Sequence, residues 1–84
     1  MTNTEKISIR VRALEVAAQL GTEVKATFPG KETDAIGKMI IVRIRIIGIE
    51  QQLHSKEEAQ TYLDGMMDAA IYLNTINEIA REGS

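Results

Sequence analysis

A chain of 84 residues with ten Lys and Arg against twelve Asp and Glu, net charge −2, and no cysteine is tightly bounded by those counts alone. It has the length of one domain and buries only about 60–65% of the surface its unfolded form exposes, so a thin core is expected. Without cysteine, disulfides and thiolate metal centres are excluded, and association with a copy of itself or with another protein is the remaining route to extra burial.

The first twenty residues carry two competing patterns. Thr2 and Glu5 have capping-box spacing, Ile7, Val11, Leu14 and Ala18 share a helical face, and Ala13 to Leu20 is rich in helix formers up to a stop at Gly21. These features predict a helix over about 4–20. The alternative is a strand over 6–12 followed by a short helix, because Ile7, Ile9 and Val11 also alternate with Lys6, Ser8, Arg10 and Arg12.

A strand is expected over about 23–28, where Val24, Ala26 and Phe28 alternate with polar residues, and Pro29-Gly30 ends it. A second is expected over about 38–49, a segment dense in β-branched residues. Its one face, Ile40, Val42, Ile44 and Ile46, is wholly apolar, and the other holds Ile41, Arg43, Arg45 and Ile47.

The last helix, over about 55–82, has the clearest start. Ser55 and Glu58 form a capping box, and Glu57 and Glu58 meet the positive end of the helix dipole. Ala59, Leu63, Met66, Ala70, Leu73 and Ala80 recur at helical spacing, broadened by Tyr62, Met67, Ala69 and Ile76. Such a helix spans roughly 40 Å at 1.5 Å per residue, so it either projects beyond its own core or breaks near Gly65. Ile71, Tyr72 and Ile79 lie outside the main stripe, leaving more apolar helix surface than a thin sheet covers.

The resulting fold class is α+β, a single α–β–β–α domain over 1–84. An antiparallel hairpin packs against the N-terminal and the long C-terminal helix. Two strands alone are marginal and leave open edges, so two copies pairing edge to edge, with an extended sheet and packed helices, form the expected homodimer.

Charge is uneven along the chain. Residues 1–45 hold eight basic and five acidic side chains, and residues 46–84 two basic and seven acidic, which predicts one mildly basic and one acidic face. Arg43 and Arg45 stand on one strand face about 6.6 Å apart, a spacing suited to phosphates or carboxylates, and Arg10 and Arg12 join them if 6–12 is a strand. The structural alternative is that these arginines shade apolar sheet and pair with Glu15 or Glu23. Asp64 and Asp68, with Glu57 and Glu82, form an acidic stripe that either faces water or docks a basic partner. Nothing in sequence supplies the further oxygen ligands a divalent cation needs.

His54, the sole histidine, stands alone at the helix start and reads as a loop residue. Tyr62, Met66, Ile71, Tyr72, Ile76 and Ile79 are candidates for an adaptable interaction or dimer surface. There is no glycine-rich phosphate loop, and one Phe with two Tyr is too few aromatics for a stacking platform. No catalytic, metal or cofactor residues are expected. No uncharged run approaches the roughly 20 residues needed to cross a bilayer and no apolar leader follows Met1, so a cytoplasmic location is the expectation.

The function expected on these grounds is a non-enzymatic homodimeric protein-interaction module, a small regulator or inhibitor of a larger macromolecular partner. The alternative is an anion-binding protein for nucleic acid or a phosphorylated small ligand, through the arginine patch.

Overall fold

The computed structural model describes residues 1–83. Two helices and a three-stranded antiparallel sheet follow in the order α1 (Asn3–Leu20), β1 (Val24–Thr27), β2 (Val42–Ile46), β3 (Ile49–Leu53) and α2 (Lys56–Glu82). The sheet order is β1-β2-β3.

The N-terminal segment is a helix throughout. Thr2 caps it with both bonds of a capping box, its side chain accepting from the Glu5 N–H and its N–H donating to the Glu5 carboxylate. Gly21 ends it in the left-handed region. Burial decides against the strand alternative: Ile9, Ala13 and Val16, at helical spacing, enter the core, and Ile7 and Val11 remain exposed.

The apolar run expected as one strand over 38–49 is two strands and a turn. Val42, Ile44 and Ile46 are buried on one face of β2. The chain then reverses at Ile47 and Gly48, with φ of 51° and 77°, and returns as β3 in the register Ile46↔Ile49, Ile44↔Gln51 and Val42↔Leu53. Positive φ at both central residues belongs to a type I′ hairpin turn, whose twist matches that of the flanking strands. The expected α–β–β–α order is therefore corrected to α–β–β–β–α.

Between β1 and β2 the chain makes a loop tied by its own backbone. Asp34 accepts the Ile36 and Lys38 N–H groups at 3.0 and 2.9 Å, Ile40 N–H donates to Glu32, and Ile41 N–H donates to Leu53. These bonds extend the β2–β3 pairing and bring Ile40 to full burial.

Ser55 caps α2, accepting from the Glu58 N–H, and the helix continues unbroken through Gly65 to Glu82. Ala59, Leu63, Met67 and Ala70 are its buried residues. They meet Ile9, Ala13 and Val16 of α1 and Val24, Val42, Ile44, Ile46 and Leu53 of the sheet in one core. Full burial of a side chain such as Ile44 or Leu63 contributes about 1.5–3 kcal/mol. The two helices run parallel on this face, with Lys56 beside Glu5, Asp64 beside Arg12 and Asn74 beside Gln19. The molecule measures 52 × 28 × 18 Å, elongated along α2.

Ile47 is the one non-glycine residue at positive φ among those described. A β-branched residue there costs about 1–3 kcal/mol, and asparagine tolerates it readily. Ile47→Asn is expected to raise the melting temperature of the dilute protein by roughly 4–8 °C, the equivalent of about 1 kcal/mol in a domain of this size. Circular dichroism melting at submicromolar concentration checks it, and an unchanged or lower melting temperature contradicts the strain account.

Candidate functional site

The sheet face turned away from the helices is basic. Alternation places Lys25 and Thr27 of β1, Arg43 and Arg45 of β2 and Glu50 of β3 together around a shallow depression of about 140 Å³. Register sets Lys25 opposite Arg45, and Arg45 opposite Glu50. Like charges directly opposite oppose each other, so the Lys25–Arg45 pair is the least settled part of this face. Arg43 is ion-paired with Glu32 of the loop, not with Glu15 or Glu23, and its Nε is buried without a hydrogen bond.

Arg10 and Arg12 do not join this patch, because both sit on α1 on the far side of the sheet. Arg10 lies over the Phe28 ring, 4.8 Å from its centroid. Arg12 lies between the helices, 3.0 Å from Asp64 and 3.6 Å from Glu15. Lys25 joins the basic face instead, by a register that only the paired strands define.

His54 clasps the β1–β2 loop to the foot of α2. Its Nδ1 is 2.8 Å from the Met39 carbonyl oxygen, its Nε2 is 3.2 Å from an Asp34 carboxylate oxygen, and its backbone N–H donates to Glu58. The Asp34 carboxyl is lowered from its ordinary value, first by the Lys38 backbone N–H and further by that of Ile36 and the charge of His54. His54 and Asp34 are thus committed to each other and Asp64 to Arg12. Among the described residues no three of His, Asp and Glu gather as metal ligands.

The helix layer carries the larger unmet surface. Beyond Ala70, α2 buries no side chain, and Ile71, Tyr72, Leu73, Ile76 and Ile79 are all exposed. Asn74, which donates to the backbone and side chain of Gln19, is level with the end of α1. The residues after it extend roughly 12 Å further at 1.5 Å each. The β2–β3 turn lies at this same end, since Val24, four residues past the end of α1, pairs with Ile46. Ile47 and Ile49, 77% and 69% exposed, therefore add to the apolar surplus there. Tyr62 and Met66 are instead partly buried against the core.

The outer side of α1 is a second apolar surface. Ile7, Val11 and Leu14, with Ala18, share the face opposite the buried one, and Leu14 is 67% exposed. Sequence spacing shows this face plainly, but nothing in the spacing says that it points outward. Beside it a groove of about 350 Å³ is lined by Ser8, Val11, Arg12, Glu15, Gln60 and Asp64. Across the groove Glu57, Asp64 and Asp68 follow at intervals of seven and four, all exposed. Six acidic and two basic residues make α2 the acidic element of the fold.

Compared with known proteins, the chain matches no family model, and no curated protein and no solved structure is significantly similar to it. Among the described residues no helix is long and apolar enough to cross a membrane.

At the opposite end of the layer, Lys56 of α2 is paired with Glu5 of α1. The Glu5 carboxyl is lowered to about 2, chiefly by the Lys56 hydrogen bond and then by the Thr2 backbone N–H, and Lys56 is raised by the same bond. A depressed carboxylate contributes stability above its unfolded value, lost as pH falls through the folded one; a raised lysine contributes below its unfolded value, lost as pH rises through the folded one. The pair is therefore intact across the neutral range, and its exposure keeps the contribution small. Lys56→Met is expected to return the Glu5 titration midpoint toward the ordinary carboxylate range. Carbon-13 NMR of the side-chain carboxyl checks this, and an unmoved midpoint assigns the shift to the cap alone.

Proposed function

We propose that this protein is a non-enzymatic homodimeric interaction module that acts as a small cytoplasmic regulator or inhibitor, by occupying the surface of a larger macromolecular partner. The observation that carries the proposal is the overhang of α2. Ile76 and Ile79 are exposed on it, Ile71, Tyr72 and Leu73 are exposed just before it, and Ile47 and Ile49 add two more at the same end. A concentration of exposed apolar side chains of this kind on a small monomer marks an association site. A second copy, related by a twofold axis, brings the same end against itself and buries both overhangs together.

The free edges of β1 and β3 allow such a dimer to extend its sheet, but the overhang is the stronger contact. β3 is five residues long and carries Glu50, Gln51 and Gln52, side chains that blunt an edge. Light scattering at micromolar concentration is expected to give twice the 9.3 kDa chain mass. Leu73→Glu with Ile76→Glu is expected to give the single-chain mass with an unchanged circular dichroism spectrum, since both residues lie outside the core. A wild-type protein that is monomeric throughout this range sinks the proposal.

A second reading rests on the Lys25–Arg45 juxtaposition, an arrangement that a bound phosphate or carboxylate would relieve. Lys25→Ala with Arg45→Ala is expected to weaken binding of a fluorescent polyphosphate about tenfold at low salt, and added salt to weaken wild-type binding. Equal affinity in the double variant removes this reading.

A further inference from the structure

We infer that the outer face of the helix layer is a docking site for a basic amphipathic helix, laid along the groove between α1 and α2. The inference rests on the reading of the protein as an interaction module and names the partner class that one face of it fits.

Three observations converge on that occupant. First, α1 is apolar on two opposite faces: Ile9, Ala13 and Val16 are buried, and Ile7, Val11 and Leu14 are exposed on the other side. A helix packed on one side only has no use for the second stripe, and its spacing of four then three residues is the seam that receives the knobs of another helix.

Second, the stripe borders a formed groove. Val11 of α1 lines it together with Gln60 and Asp64 of α2. The helices run side by side, meeting at Glu5–Lys56, Arg12–Asp64 and Gln19–Asn74, so the groove lies lengthwise between them, a direction that suits a helix.

Third, the far bank is negative and underused. Asp68 makes no ion pair or side-chain hydrogen bond among the described residues, Glu57 interacts only through its charge with neighbouring Lys56, and Asp64 meets only Arg12. These carboxylates lie on the row of α2 that faces outward beside the apolar stripe. An incoming helix with apolar residues on Ile7, Val11 and Leu14 therefore presents its flanking side chains to Glu57, Asp64 and Asp68. Lysine or arginine there meets opposite charge, and aspartate or glutamate meets its own sign. Charge thus selects a basic partner over the α2 helix of a second copy, which presents the same acidic row.

The test uses a synthetic amphipathic peptide of about three heptads, with leucine along one stripe and lysine flanking it, and a counterpart with glutamate in place of each lysine. Fluorescence anisotropy on the 84-residue chain is expected to show the lysine peptide binding at least tenfold more tightly than the glutamate one. Val11→Gln with Leu14→Gln, both on the exposed stripe, is expected to weaken the lysine peptide at least tenfold. Glu57→Gln with Asp68→Asn is expected to abolish the preference between the peptides.

The same titration on the monomeric Leu73→Glu, Ile76→Glu variant separates the two readings: binding retained there stands whether or not the wild type dimerises. Equal affinity of the two peptides overturns the inference. So do NMR shift changes confined to residues 71–79, which place the peptide on the overhang. A halved scattering mass on Leu14→Gln alone also overturns it, by assigning the stripe to a second copy.

Discussion

Burial of β2 is the constraint on which the rest of the structure depends. Val42, Ile44 and Ile46 are its inward side chains, and the only apolar cover within reach is supplied by the two helices. One helix is too narrow for a three-stranded sheet. Ile9 and Val16 from α1 and Leu63 and Met67 from α2 enter the core together, with Ala13, Ala59 and Ala70 as small residues among them. The outward face of the sheet is left to Lys25, Arg43 and Arg45, so the molecule has one basic side and one acidic helix.

The direction of the helices follows from the number of strands. Each consecutive element reverses the chain, so α1, β2 and α2 point one way and β1 and β3 the other. Three strands make the helices parallel, whereas two would have made them antiparallel. Parallel helices bring both capped N-termini to one end, where Glu5 meets Lys56, and carry the acidic row of α2 alongside α1 for its whole length. They also place the length mismatch at one end: strands of four or five residues cover roughly 17 Å, while α2 at 27 residues covers about 40 Å. The overhang is the part of α2 that also outruns α1, whose 18 residues cover about 27 Å.

Much of this was legible in the sequence. Both helices were, because Thr2 with Glu5 and Ser55 with Glu58 are caps whose chemistry is local, although the second is only half the expected capping box: Ser55 accepts from the Glu58 N–H, but the Glu58 carboxylate accepts from the His54 N–H. The inward face of β2 was too, since Val42, Ile44 and Ile46 are β-branched and alternate with Arg43 and Arg45. β3 was not, for two physical reasons. Ile47-Gly48-Ile49 lacks the asparagine or aspartate that marks a two-residue turn, and Glu50-Gln51-Gln52 has no apolar alternation because α2 passes over only the Leu53 end. The basic face was half legible: Arg43 and Arg45 share it by period, but Lys25 reaches it through a register that depends on the long β1–β2 loop. The outward side of α1 was visible as a stripe and assigned no direction, because a helix with two apolar faces gives no sequence signal of which one is buried.

Ile47 connects the fold to the proposed role. Local and global preferences usually agree in a folded chain, and conflict between them concentrates where function is served. Here a β-branched residue occupies a backbone conformation that resists it, in a turn that asparagine would relax, and its side chain projects into water. No intrachain packing compensates for that arrangement. It stands at the end where α2 overhangs the sheet, beside exposed Ile49, so a second chain covering this end would bury the side chain that the monomer leaves unsupported. On the proposed dimer, strain in the single chain and burial in the pair would be two sides of one trade, the tip of the hairpin weakening the isolated domain and strengthening the pair.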